Sequence, residues 1–297
     1  ITGMKTLDNL AVKNKRVLIR VDINSDIRNG KLIPSERLTA PLETIKELQK
    51  KEAKIVLLAH QGRPGSKDFT SLRQHANFLK KKIAHFECIP DVTGMRAIER
   101  IIALKSGHVL LLDNVRFIKD ELNYKLHTPN ELLDRIAPLI DLYVNDAFSA
   151  SHRHQASITG FPQRIEGAMG RVFERELRAL QKIDMHNALL VLGGSKPEDN
   201  IELLKKTKGK TLASGLFGPF CLMALGKNLG LQNTIMKKEL TQYGSLIRAH
   251  RAKLIIPHDL AIEHKGKRHD LCIDEFPKNA EILDLGIRTI EAYGKEI

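Results

Sequence analysis

Seven short apolar runs, each of strand length, are separated by segments of helical period. This alternation constrains the fold more than any other feature of the chain. The runs are RVLIRV (16–21), KIVLLA (54–59), HVLLL (108–112), DLYV (141–144), ALLVLG (188–193), KTLASG (210–215) and KLIIP (253–257). Strands apolar on both faces belong to a parallel sheet covered on both sides. The intervening segments are helical in period: in PLETIKELQKK, Leu42, Ile45 and Leu48 recur about once per turn. MRAIERIIAL and NELLDRIAPLI are further examples. The pattern predicts an α/β fold.

A chain of 297 residues is long enough for two ordinary domains. The segment MGRVFERELRALQKI (169–183) is long, charged and lies between the first set of strands and the second. It predicts a first lobe over 1–168, a connecting helix or hinge over 169–186, and a second lobe over 187–297.

The polar ends of the first four strands carry the chemistry. After the first run come Asp22 and Asn24, and after the second His60 and Arg63. The third delivers Asn114 and Arg116, and the fourth Asn145, Asp146, His152 and Arg153. Arg37, just before a helical segment, is placed to join them. Ligands of open parallel sheets bind outside the carboxyl ends of the strands, where such loops converge. Singly, each residue has a plain structural use: a lone arginine after a strand is usually solvated, a lone histidine a satisfied structural residue, and Asn145 and Asp146 ordinary turn formers. Together, several guanidiniums in one cleft repel one another unless an anion sits among them. Their planar forks suit carboxylate and phosphate. Asp22 and Asn24 suit a hydroxyl between two acidic ends, so the inferred ligand is a short hydroxylated carbon chain bearing phosphate and carboxyl groups.

Composition narrows the alternatives. The net charge is +13, of which only +4 falls from residue 187 onward. The basic surplus therefore lies where an anionic metabolite would dock, which weakens a nucleic-acid reading. Tryptophan is absent and aromatic residues make up 5%, giving little for base stacking. Three dispersed cysteines, Cys88, Cys221 and Cys272, suit a reducing, cytoplasmic setting better than a disulfide framework. No 18-residue apolar run predicts a membrane span.

The segments RVDIN, HQGRP, LLDNVRF and YVNDAFSASHRH resemble, in order, the amino-terminal motifs of the phosphoglycerate kinase family, and HQG is closer to its archaeal members. VLGGSKPEDNIELL and KLIIPHDLAI extend the resemblance over nearly the whole chain. It implies two Rossmann-like parallel-sheet lobes, the second incomplete. The implied reaction is phosphoryl transfer between 1,3-bisphosphoglycerate and ADP, giving 3-phosphoglycerate and ATP, with the nucleotide carried as its magnesium complex. Asp22, Asn24, Arg37, His60, Arg63, Arg116 and Arg153 fall on the family's phosphoglycerate-binding positions. Arg37 and Lys196 fall on its catalytic positions, and Gly193, Gly194, Lys196 and Gly215 on its nucleotide-binding ones. Asn200 stands where the family often has a second lysine, and Pro219 where its backbone is usually free. KGKT (208–211) lacks the upstream glycine of a P-loop and reads as a helix exit.

The family's NGPMGVFE-like segment and Gly-Gly-Gly-Asp loop, with the carboxylate that holds magnesium, do not occur in this chain. A fragment of a longer reading frame is the expectation, ahead of a shortened paralogue. Little kinase activity by these 297 residues alone and an unpaired sheet edge in the second lobe are expected with it. Two other readings stay open: a phosphoglycerate-binding paralogue without kinase activity, and a basic nucleic-acid-binding protein.

Overall fold

The computed structural model describes residues 5–184, 188–194, 196–277 and 279–297. Six strands form the sheet of the first unit: β1 (Arg16–Val21), β2 (Lys54–Leu58), β3 (Phe86–Cys88), β4 (Val109–Leu111), β5 (Leu142–Asp146) and β6 (Gly167–Met169). All pair in parallel, in the order β3-β4-β2-β1-β5-β6. The first four predicted runs are β1, β2, β4 and β5. β3 and β6 are three-residue strands of FEC and GAM, only partly buried, with no apolar run to announce them.

Alternate residues of β1 point to opposite faces of the sheet. Val17, Ile19 and Val21 pack with Leu38, Ile45 and Leu48 in one core. Leu18 joins Val56, Ile101, Leu133 and Phe161 in the other. The chain builds outward from β1 on one side and returns to its other side at β5, so β1 and β5 flank a topological switch point. That is where an open α/β sheet leaves its crevice.

The predicted helix at 169–183 begins two residues later. Met169 ends β6, and the helix runs Arg171–Gln181. Asp146, the last residue of β5, accepts from the backbone N–H of Val172 (2.9 Å) and Phe173 (3.3 Å) at its start. Gly170 makes this possible, since a Cβ there would lie 2.2 Å from Asp146 Oδ1. Arg171 ties the helix to Asp8 (2.6 Å) and Glu47 (2.8 Å). The chain divides after Gln181, within the segment 169–186 read from the sequence as the connection, so this helix counts with the first unit.

In the second unit β7 (Leu190–Leu192), β8 (Thr211–Ala213) and β9 (Leu254–Ile255) form a parallel sheet in the order β9-β8-β7. Its core gathers Leu192, Leu212, Phe217, Phe220, Leu254 and Leu260. β7 lies at one edge of this sheet, with Val191 55% exposed. An antiparallel sheet, absent from the sequence reading, follows: β10 (Asp259–His264), β11 (Lys267–Cys272) and β12 (Ile282–Leu285), in the order β11-β10-β12. β11 reads KRHDLC and is largely exposed, so hydrophobicity could not mark it. Here the first unit's capping device recurs. Asp259 accepts from Arg288 N (3.0 Å) and Thr289 N (2.8 Å) at the start of the helix Ile287–Glu296, and a Cβ on Gly286 would lie 2.2 Å from its carboxyl carbon. Among the described residues no helix is long and apolar enough to cross a membrane.

Candidate active site

At the carboxyl ends of β1, β2 and β4, three of the predicted polar residues, Asn24, Asn114 and Arg116, meet at one loop. Gly62 is its pivot. Its φ of +64° is a left-handed conformation, and a Cβ would lie 2.6 Å from the Asp68 backbone, so only glycine fits. Its N–H donates to Asn24 Oδ1 (2.9 Å) and its carbonyl accepts from Arg116 Nη1. Asn114 closes the loop from below, donating to the carbonyls of Gln61 (2.7 Å) and Thr70 (2.8 Å) and accepting from Arg116 N (3.1 Å). Arg63, exposed on this loop, and Arg153 both act electrostatically on Arg116.

On the β5 side Arg37 donates to Asp22 Oδ2 (3.2 Å), which also accepts from Ser149 Oγ. These three, with Phe148 and Glu176, line a cavity of about 290 Å³. The Arg37 side chain is 53% exposed there, available to a ligand. His152 is exposed on the neighbouring loop. Asn145 and Asp146 serve structure: Asn145 accepts from Ala147 N (3.0 Å), and Asp146 caps the following helix.

Positive charge and burial dominate the electrostatics. Burial, with Arg153, Arg20 and Arg63 nearby, lowers the Arg116 pKa to about 10. His60 is buried among Arg20, Arg116, Arg153 and Arg37, and burial first, then these cations, push its pKa down to about 2. It is therefore neutral. Two nitrogens of this cluster, Arg116 Nε and Arg153 Nη1, are buried without a hydrogen-bond partner. A buried donor left unpaired is costly.

Sequence reasoning missed the layer beneath. Arg20 is fully buried at the end of β1. An arginine inside an otherwise apolar run was the available signal. Gln61, also buried, accepts from Ser25 N (3.0 Å), lies 3.0 Å from His75 Nε2 and donates to Ser25 O (2.9 Å), locking the loops after β1 and β2 together.

In the second unit Gly193 and Gly194 follow β7, and Ser214 and Gly215 follow β8. Gly194 (φ +99°) and Gly215 (φ +49°) are both left-handed. A Cβ on Gly215 would lie 2.7 Å from Gly194 N, so the two loops interlock backbone to backbone. Lys196 is exposed at the start of the helix Pro197–Lys206. Asn200 turns inward, donating to Gly193 O (2.9 Å), which gives the departure from a second lysine a structural use. Pro219 sits in the first turn of the helix Phe217–Ala224, where its missing N–H costs little. In KGKT, Gly209 packs against the Ala188 carbonyl and Lys210 pairs with Glu296 (3.0 Å). Among the described residues no group of three or more His, Cys, Asp or Glu is arranged to hold a metal ion.

A family model described as phosphoglycerate kinase matches residues 7–297. The chain belongs to the phosphoglycerate kinase family. Its function is that of this kinase, a phosphotransferase of glycolysis. The phosphoglycerate kinase of Methanopyrus kandleri is 38% identical over 99% of this chain and 77% of its own length. That of Saccharolobus solfataricus is 38% identical over 98% and 76%. The solved phosphoglycerate kinase of Pyrococcus horikoshii superposes with a TM-score of 0.82 at 33% identity, covering 99% of this chain and 78% of that one. That of Coxiella burnetii gives 0.77 at 29%, covering 98% and 77%. The chain thus spans about three quarters of the length of these phosphoglycerate kinases.

Proposed function

We propose that the arginine cup of the first unit binds 3-phosphoglycerate and 1,3-bisphosphoglycerate, and that the glycine loops of the second unit hold ATP or ADP with its magnesium. The observation that carries the reading is the pair of buried, partnerless guanidinium nitrogens, Arg116 Nε and Arg153 Nη1, beside a neutral His60. Phosphate or carboxylate oxygens would complete them. Asp22 and Asn24 take the substrate hydroxyl, and Arg63 and Arg37 the exposed side of the anion.

Transfer of a phosphoryl group between a carboxylate and a nucleotide phosphate needs no general base, because both are already competent nucleophiles. Catalysis is then positioning plus stabilisation of charge on the equatorial oxygens. Arg37, exposed beside Asp22, and Lys196, exposed before its helix, are the cations assigned to that charge. Magnesium would neutralise the nucleotide phosphates, and the described side chains supply no cluster for it. The partners are small metabolites rather than nucleic acid, and a glycolytic role suits the cytoplasm.

Calorimetry with 3-phosphoglycerate tests the cup. Arg116→Met and Arg153→Met should each weaken binding at least tenfold, the effect of losing a charge-assisted hydrogen bond of about 1.5 kcal/mol or more. Binding unchanged in both variants would remove the proposal.

A further inference from the structure

Beneath the cup lies a chain of buried groups that no substrate contact explains. Arg20 Nη2 stands 3.0 Å from His60 Nδ1, and Arg20 Nε donates to Ser157 Oγ (2.8 Å). Ser157 Oγ donates to Glu121 Oε1 (2.6 Å) and its backbone N–H to Oε2 (2.8 Å). Arg20, Ser157 and Glu121 are all fully buried. Ser157 sits in a single π-helical turn, Ala156–Gly160, a distortion that recurs at functional sites. Tyr143 supports it from β5, donating to the Ser157 carbonyl (2.8 Å).

The direction of the Arg20–His60 bond is fixed by chemistry. A guanidinium has only donors, so Nδ1 must accept, and the neutral ring must then carry its proton on Nε2. Nε2 has no protein partner among the described residues. The groups acting on the ring are Arg20 from β1, Arg116 after β4, Arg153 after β5 and Arg37 from its short helix, all cationic. Those acting on Arg20 are Glu121, Tyr143, Asp22 and Arg153, and Glu121 is the leading opposite charge.

We propose that Arg20 is a positioning residue: anchored on Glu121 through Ser157, it clamps His60 as a neutral Nε2–H donor for the anion held by the cup. The inference rests on the phosphoglycerate reading for its ligand and on the protein's own geometry for the clamp. The clamp gives the histidine a fixed hydrogen-bond direction instead of a switchable charge. Recognition then does not weaken when an imidazole would ordinarily lose its proton. Depression of the His60 pKa by burial and by Arg20 agrees with this.

Nitrogen-15 NMR of the histidine-labelled chain tests the clamp without ligand, with the His60 resonance assigned by its loss in His60→Gln. Expected are a pyridine-like Nδ1 and a pyrrole-like Nε2, unchanged from pH 8 to pH 5. A protonated Nδ1, or titration of His60 within that range, would overturn it. Arg20→Met supplies the second readout. With 3-phosphoglycerate present, its affinity should fall on the order of tenfold at pH 8, and the ratio to the native chain should shrink towards pH 5.5, as the released Nδ1 takes up a proton. A ratio constant with pH would count against the clamp. Should the native chain bind no 3-phosphoglycerate while His60 keeps its fixed tautomer, the ligand reading fails and the clamp stands.

Discussion

Replacing Asp146 by asparagine isolates one buried carboxylate. Asp146 is 2% exposed, and burial raises its pKa from 3.8 to about 6, against the opposing pull of Thr44 and the backbone N–H groups of Phe173 and Val172. The folded state therefore binds its proton more tightly than the unfolded state. Stability from this group is gained as pH falls through 6 and is withheld above it. Between pH 8 and pH 5 the gain from those two values is about 1.4 kcal/mol. Asparagine keeps an oxygen for the helix N–H groups and offers its amide towards Thr44, but it cannot titrate. Urea denaturation of the native chain and Asp146→Asn, followed by circular dichroism of the first transition, measures the difference. The native chain should gain on the variant by about 1.4 kcal/mol from pH 8 to pH 5. A stability difference independent of pH, or one of opposite sign, would refute the reasoning.

His60 should behave in the opposite sense. Its folded pKa lies near 2, below the unfolded 6.5, so its stabilisation is present above 6.5 and lost as pH falls. His60→Gln should lose about 2 kcal/mol less than the native chain between pH 7 and pH 5, by the same denaturation series. Gly62→Ala forces a left-handed alanine against the Asp68 backbone, at a cost of about 1–3 kcal/mol. Because Gly62 bridges Asn24 and Arg116, calorimetry should also show 3-phosphoglycerate binding weakened in this variant.

The fold was legible wherever hydrophobicity marked it. β1, β2, β4, β5, β7, β8 and β9 each coincide with an apolar run, because buried parallel strands are apolar on both faces. β3, β6 and the antiparallel strands β10 to β12 were not, since two are three residues long and β11 presents Lys267, Arg268 and His269 to solvent. The residues around Gly62 were legible because four strand endings repeat one chemistry. Arg20, Glu121 and Gln61 were hidden because their roles depend on partners from other loops, which no local spacing records. Asp146 shows the same limit: it reads as a turn former and is instead the cap of a helix that begins over 20 residues later in sequence, a distance that Asp259 also spans.

The crystal structure of this chain with 3-phosphoglycerate tests the central claim most directly. Ligand oxygens within hydrogen-bond distance of Arg116 Nε, Arg153 Nη1 and His60 Nε2 are the predicted result. A ligand bound elsewhere, with those nitrogens still unpaired, would contradict it.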